Sequence, residues 1–180
     1  MLDYTKDELV SLIERNPVQF NEWKKGKEDE IDLSEVDFSN IVLREIDLSG
    51  VDLNSSSFAD SDLSLVNFAE ADLTAVDFTR ASVVECDFTD SILASADCSY
   101  AQMTYCTFTG SDMAGCILSE TDLSNSDLSA SENLASARYD ADTQWPDTDM
   151  LPEDFDSAYS DDLSALKDEE EAPIMSDGEY

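Results

Sequence analysis

Hydrophobic residues recur every five positions between Ile31 and Ala130. This stretch divides into twenty consecutive blocks of five residues, and the third residue of every block is apolar. The first residue is small or β-branched, and the second is Asp in twelve blocks. A period of five fits neither an amphipathic helix, with 3.6 residues per turn, nor a strand, with a period of two. It predicts a chain that turns a corner every five residues and sends two side chains of each block inward.

The third position shows a second, longer period of twenty residues. We number the blocks one to four from Ile31 and repeat the count, so that four blocks make one coil with four faces. Phe then occupies the third position on faces two and four only, while Leu, Val or Met fills faces one and three. Large rings on two opposite walls suit a core of constant width. The phenylalanines are Phe38, Phe58 and Phe78 on face two and Phe68, Phe88 and Phe108 on face four.

The blocks resemble those of the pentapeptide-repeat family. Its consensus is a small residue, Asp or Asn, Leu or Phe, and two variable residues, as in Val36-Asp37-Phe38-Ser39-Asn40. The resemblance covers 100 of the 180 residues. It implies an all-β solenoid, a right-handed quadrilateral β-helix of about five coils, in which each face is a ladder of short parallel strands.

Both ends of a solenoid need a cap, because they expose strand edges and an open core. Before the repeats, Thr5 and Glu8 form a capping box, and Asn16-Pro17 begins a second short helix. After the repeats, the five-residue phase ends at Asn133. We therefore predict four parts: a helical N-terminal cap over 1–30, the β-helix over 31–130, a C-terminal capping segment over 131–156, and an acidic, disordered tail over 157–180.

The composition is strongly acidic, with 43 Asp and Glu against 9 Lys and Arg and a net charge of −34. Such a charge argues against direct binding to nucleic acid or an anionic membrane, and no apolar run reaches 18 residues. The chain has no His, and its four Cys match no zinc or redox spacing. We expect these Cys to be buried thiols of a cytoplasmic protein that has no metal or cofactor.

Nineteen acidic and two basic residues lie within the repeats. On an open ladder without a cleft such carboxylates do not predict an enzyme, but they do predict a polyanion. Coils spaced about 4.8 Å apart give a rod of roughly 24 Å with about one net charge per 1.4 Å, against about one per 1.7 Å along duplex DNA. The predicted polyanion surface comprises Asp32, Asp37, Asp47, Asp52, Asp62, Asp72, Asp77, Asp87 and Asp97, with Glu35, Glu45, Asp60, Glu70, Glu85 and Asp90 at the fifth position.

Two functions follow from this surface. The first is an acidic interaction protein that occupies a basic surface of a partner protein. The resemblance implies DNA mimicry as one form of it, because quinolone-resistance members of the family bind DNA gyrase in this way. The alternative is a scaffold that docks a partner, or a second copy of itself as a homodimer, through face three, its acidity then reflecting adaptation to high salt. The predicted docking face consists of Val42, Leu65, Val84, Tyr100 and Tyr105.

Overall fold

A computed structural model describes residues 4–27 and 30–157. Parallel bridges join each second-position residue to the one twenty positions later, as in Asp37 to Ser57, Ser57 to Asp77 and Asp77 to Asp97. One coil therefore contains four blocks, and the predicted right-handed quadrilateral β-helix is confirmed. The disordered tail predicted over 157–180 lies outside the described residues, except for Ser157.

The corners of the coil have a common backbone conformation. In the nineteen blocks from Ile31 to Asn125, the fifth residue has a φ between +54° and +68°. This left-handed region is costly for β-branched residues, and none occurs at these positions. The five-residue period is therefore a backbone property as well as a hydrophobic one.

Short parallel strands lie on two faces. Face one contains β1 (Ile31–Asp32) and β3 (Val51–Asp52), paired in parallel. Face three is a four-stranded sheet in the order β2-β4-β5-β6. Its strands are β2 (Val42–Arg44), β4 (Asp62–Ser64), β5 (Ser82–Val84) and β6 (Gln102–Thr104).

The core contains two columns of stacked phenylalanines, as the twenty-residue period predicts. On face two, the centroid of Phe58 lies 5.1 Å from that of Phe38 and 5.5 Å from that of Phe78. On face four, Phe88 stacks with Phe68 at 5.1 Å and with Phe108 at 5.0 Å. All six rings are at most 2% exposed. The two columns meet edge to face, with interplanar angles of 79° to 87°.

Two helices close the N-terminal end of the rod. Helix α1 (Lys6–Arg15) begins with the predicted capping box of Thr5 and Glu8, and α2 (Pro17–Lys24) begins at Asn16. From α2, the Asn21 amide nitrogen donates to the Glu45 carbonyl at 2.9 Å, and its oxygen accepts from the Asp47 N–H at 2.9 Å. In the next coil, the corresponding Asn67 N–H binds the carbonyl of Ile46. The Asn21 side chain thus takes the place of a preceding strand.

The C-terminal segment adds a sixth, irregular coil after the regular coils of residues 31–130. Bridges join Asp112 to Glu132, Ile117 to Arg138 and Asp122 to Gln144. Their separations of 20, 21 and 22 residues show that each successive side gains one residue. Two 3₁₀ helices, Leu134–Ser136 and Thr148–Met150, absorb part of the added length.

The sixth coil is covered by an aromatic cluster. The Tyr139 centroid lies 4.9 Å from that of Trp145, which lies 5.0 Å from that of Phe155. Together with Leu151, these rings pack against the core. The bulk of these four side chains, and their position after the repeats, suit them to cover the last coil.

All four cysteines are buried and form no disulfide bond, as predicted. The Sγ atoms of Cys98 and Cys116 approach to 3.9 Å. This contact, followed by burial, raises the pKa of the Cys98 thiol well above its usual value. The Cys98 thiol is therefore a poor nucleophile and serves as a small apolar core residue.

Candidate interaction surface

Second-position carboxylates form ladders along the faces and also hold the turns. Eleven of the twelve second-position aspartates accept a hydrogen bond from the N–H two residues later, at 2.8–3.1 Å. Asp is favoured there because a short acceptor side chain can bind its own backbone two residues on. These residues are Asp32, Asp37, Asp47, Asp52, Asp72, Asp77, Asp87, Asp97, Asp112, Asp122 and Asp127. The twelfth, Asp62, lies in strand β4 on face three and is exposed.

The ladders differ in how closely they place like charges. On face one, Asp52 is bridged to both Asp32 and Asp72, so three carboxylates follow one another in successive coils. On face four, Asn67 stands between Asp47 and Asp87, and the amide of Asn67 approaches Asp47 Oδ1 at 3.4 Å. On face four, each of these aspartates therefore has a neutral neighbour in the adjacent coil, whereas on face one the aspartates are direct neighbours.

The fifth-position carboxylates lie at the corners of the rod and are all exposed. Asp60 is the exception in charge, because Arg80 in the next coil makes a bidentate ion pair with it, both distances being 2.7 Å. The same contact lowers the pKa of Asp60. The others of the predicted set project from the corners without an ion pair among the described residues: Glu35, Glu45, Glu70, Glu85 and Asp90.

Within residues 31–130, the corner between faces four and one is the one at which fifth-position carboxylates are neighbours in successive coils. Its successive fifth positions are Gly50, Glu70, Asp90 and Gly110, so two exposed carboxylates follow each other between glycines. A Cβ on Gly110 would lie 2.2 Å from Asp90 Oδ1, and Gly110 has a φ of +68°. The Asp90 carboxylate thus lies beside Gly110, and any other residue at position 110 would require the Asp90 side chain to move. We call Glu70, Asp90 and the neighbouring ladder residues Asp72 and Asp87 the acidic edge.

Two lysines of the cap form ion pairs with two carboxylates of the first coil, which the sequence analysis did not predict. Lys6 Nζ lies 3.0 Å from Asp32 Oδ1, and Lys24 Nζ lies 3.2 Å from Asp47 Oδ1. The Ser34 hydroxyl and then Lys6 lower the pKa of Asp32 to about 2. Burial of Asp47 opposes ionisation, but hydrogen bonds from Ser49 and the charge of Lys24 outweigh it and lower the pKa. No local motif signals these pairs, because their partners are 23 or more residues apart.

The predicted docking face does not form one apolar patch. Val42 is 73% exposed, but its register partner in the next coil is Asp62. Val84 is half-buried and pairs with Ser64 and Thr104. Three further members are exposed at corners, and polar or charged residues separate them: Leu65, Tyr100 and Tyr105.

The rod has a groove at each end. The N-terminal groove, of about 300 Å³, is lined by Tyr4, Lys6, Leu9, Trp23, Lys27, Glu30, Ile31 and Asp32. The C-terminal groove, of about 330 Å³, is lined by Tyr105, Ser124, Asn125, Trp145, Pro146, Asp147 and Met150. Within residues 4–27 and 30–157, no group of His, Cys, Asp and Glu is arranged to hold a metal ion. No helix in those ranges is long and apolar enough to cross a bilayer.

The repeat geometry agrees with a comparison against known families. The model for pentapeptide repeats matches eight copies over residues 31–69, 71–110 and 91–129, which is more than half of the chain. The chain therefore belongs to the pentapeptide repeat family, whose members are structural and interaction proteins.

Solved structures of similar fold include a trypsin-treated variant of QnrB1, a plasmid-mediated fluoroquinolone resistance protein. It is 22% identical with a TM-score of 0.44, and the match covers 61% of this chain and 58% of QnrB1. HetL, involved in heterocyst differentiation regulation in the cyanobacterium Nostoc, is 22% identical with a TM-score of 0.28, over 67% of this chain and 65% of HetL. The chain thus spans less than two thirds of the length of each. No curated protein matches it.

Proposed function

We propose that this protein is a non-enzymatic interaction protein that presents its acidic rod to a basic, nucleic-acid-binding surface of a partner protein, in place of duplex DNA. One observation carries the proposal: carboxylates project from all four faces and from the corners in a fixed register of one coil per twenty residues. A partner that binds phosphates with Lys and Arg side chains would meet a comparable row of anions.

The charge spacing supports this proposal once the cap is taken into account. Residues 31–130 carry a net charge of −17, and the ion pairs of Lys6 and Lys24 reduce it to −15. Over a rod of roughly 24 Å, this is about one charge per 1.6 Å, close to the value of about 1.7 Å for duplex DNA. At the acidic edge two exposed corner carboxylates, Glu70 and Asp90, are neighbours in successive coils, and both lack an ion pair among the described residues.

Competition with DNA tests the proposal. Basic proteins of a native lysate are loaded on immobilised duplex DNA at 0.1 M NaCl, and the full chain is added as eluent. We expect it to release a defined subset of them, and to lose this effect at 0.5 M NaCl because charge contacts are screened. Poly-glutamate of equal total charge is the control. Equal release by poly-glutamate would contradict mimicry, because it would show that charge alone suffices.

A pair of charge variants locates the binding surface. Glu70→Gln with Asp90→Asn removes the two corner charges of the acidic edge without altering a turn bond. Glu35→Gln with Glu45→Gln removes two corner charges near the capped first coil. We expect elution by the first variant to fall at least threefold more than elution by the second. Equal losses would argue against the acidic edge as the contact.

A further inference from the structure

Both grooves of the rod are lined by a tryptophan, a tyrosine and a carboxylate, and they differ in their basic residues. The shared types are Trp23, Tyr4 and Asp32 at the N-terminal end and Trp145, Tyr105 and Asp147 at the C-terminal end. The chain's own lysines enter the first. Lys27 Nζ lies 4.9 Å from the centroid of Trp23, and Lys6 Nζ lies 3.0 Å from Asp32 Oδ1. None of the described residues that line the C-terminal groove is Lys or Arg.

The C-terminal groove has the features that a cationic side chain needs. An aromatic face attracts a cation through its quadrupole, and a nearby carboxylate adds charge complementarity. Tyr105 is 60% exposed and Met150 is 38% exposed, so the groove is accessible. Trp145 packs against Tyr139 and Phe155, at centroid distances of 4.9 Å and 5.0 Å. Its position is therefore set by packing before any ligand arrives.

We propose that the C-terminal groove binds a Lys or Arg side chain from an extended segment of the basic partner, in the way that Lys27 occupies the N-terminal groove. This inference rests on the proposed function, because it assumes a basic partner. It goes beyond that function by adding an aromatic anchor, which resists salt better than the carboxylate ladders. The groove would fix the partner's position along the rod, which a uniform polyanion cannot do.

Fluorine NMR can observe both grooves at once, because the chain has two tryptophans. The full chain is labelled with 5-fluorotryptophan and titrated with a hexa-arginine peptide at 0.15 and 0.5 M NaCl. We expect a saturable shift of the Trp145 resonance that persists at the higher salt, and little change at Trp23. Tyr105→Ala should weaken the affinity seen at Trp145 about fivefold, the usual size of one cation–π contact, while Tyr105→Phe should retain it.

Tyr100→Ala is the matched control. Tyr100 is also a fifth-position tyrosine with positive φ and is 54% exposed, but it is not part of the groove. Equal effects of Tyr100→Ala and Tyr105→Ala would overturn the inference. So would peptide binding, measured by equilibrium dialysis, without a Trp145 shift; in that case the acidic-surface function would stand. Absence of binding by both methods would contradict both.

The chain's own Lys167 is the remaining candidate occupant. Lys167→Gln should leave the Trp145 resonance of the free protein unchanged. A shift in this variant would assign the groove to the chain's own C-terminal region and overturn the assignment to a partner.

Discussion

The two ends of the rod solve the same problem by different means. At the N-terminal end the coil begins abruptly, and helix side chains replace the missing strand: the Asn21 amide binds Glu45 and Asp47, and Lys6 and Lys24 bind the first carboxylates. At the C-terminal end the backbone continues into a sixth coil, which an aromatic cluster covers. Both ends bury apolar side chains against the core, but helix side chains replace the missing strand at one end, whereas the backbone continues at the other.

This difference also polarises the charge of the molecule. Five of the nine basic residues lie in the first 27 positions, whereas Arg138 is the only basic residue between 131 and 157. The N-terminal end is therefore locally compensated by basic residues. A basic partner would meet the least opposition at the acidic edge and the C-terminal end.

The largest difference between the ends should come from their buried rings. Phe20 is fully buried between the cap and the first coil, while Phe155 is only partly buried. We expect Phe20→Ala to lower the free energy of unfolding by about 3–5 kcal/mol and Phe155→Ala by clearly less, because a smaller cavity remains. Urea unfolding followed by circular dichroism measures both. Equal losses would mean that the sixth coil stabilises the rod as much as the helical cap does.

The second prediction concerns the hydrogen bonds by which the Asn21 side chain replaces a preceding strand. Asn21→Ala leaves the Glu45 carbonyl and the Asp47 N–H without their partner, and we expect a loss of about 1–3 kcal/mol. Val18→Ala is the control, because Val18 lies on the same helix but is 72% exposed; it should change stability by less than about 0.5 kcal/mol. If the two variants unfolded at the same urea concentration, Asn21 would not be an edge cap in solution.

Loss of the lysine contacts of the cap should make the folded protein less stable in acid. Because the pKa of Asp32 is lowered to about 2 from 3.8, its contribution to stability is complete above about pH 4 and is lost as the pH falls towards 2. Lys6→Met should therefore raise the pH at which the protein unfolds in acid.

Lys24→Met should have the larger effect at neutral pH. We expect it to lower the free energy of unfolding by about 1 kcal/mol, since the Lys24 side chain is only 12% exposed.

Melting temperature measured from pH 2 to pH 7 tests both variants. Identical profiles for wild type and Lys6→Met would show that the Ser34 hydroxyl alone stabilises the Asp32 carboxylate.

The sequence predicted those features that repeat and missed those that occur once. The five-residue and twenty-residue periods suffice for the coil, the two Phe columns and the outward aspartates, because each position is repeated about five times and its environment is the same in every coil. The Asp60–Arg80 pair was not predicted, although its two residues occupy fifth positions separated by one full coil of twenty. In a regular repeat, residues that are neighbours in adjacent coils are separated by a constant twenty positions, so the sequence pattern shows which residues lie together.

The ends lack this advantage. Asn21 acts on Glu45 and Lys24 on Asp47 across a junction with no fixed period, so only the three-dimensional structure brings them together. The sixth coil was read as a simple cap because one added residue per side removes the five-residue phase after Asn133. The C-terminal groove depends on that same irregular backbone, which brings Trp145 to a groove that Tyr105 of the repeats also lines.

The smallest expected effect compares two ladders beyond the cap. Asp52 has carboxylate neighbours in both adjacent coils, Asp32 and Asp72, whereas Asp87 lies between Asn67 and Thr107. Carboxylates about 5 Å apart repel by about 0.8 kcal/mol in water. Asp52→Asn should therefore stabilise the protein by about 0.5–1 kcal/mol at low salt, because Asn keeps the turn acceptor, as Asn67 does towards the Ala69 N–H at 2.9 Å. Asp87→Asn should give no gain.

In 1 M NaCl the advantage of Asp52→Asn should disappear, and the melting temperature of the wild type should rise towards that of the variant, because the Debye length falls to about 3 Å. Thermal unfolding of the three proteins at 0.02 and 1 M NaCl provides the measurement. If Asp87→Asn stabilised as much as Asp52→Asn, the repulsion would be a property of the total charge rather than of neighbours in a ladder. The rod would then present a diffuse field to a partner, and the spacing of its charges would carry no information for recognition.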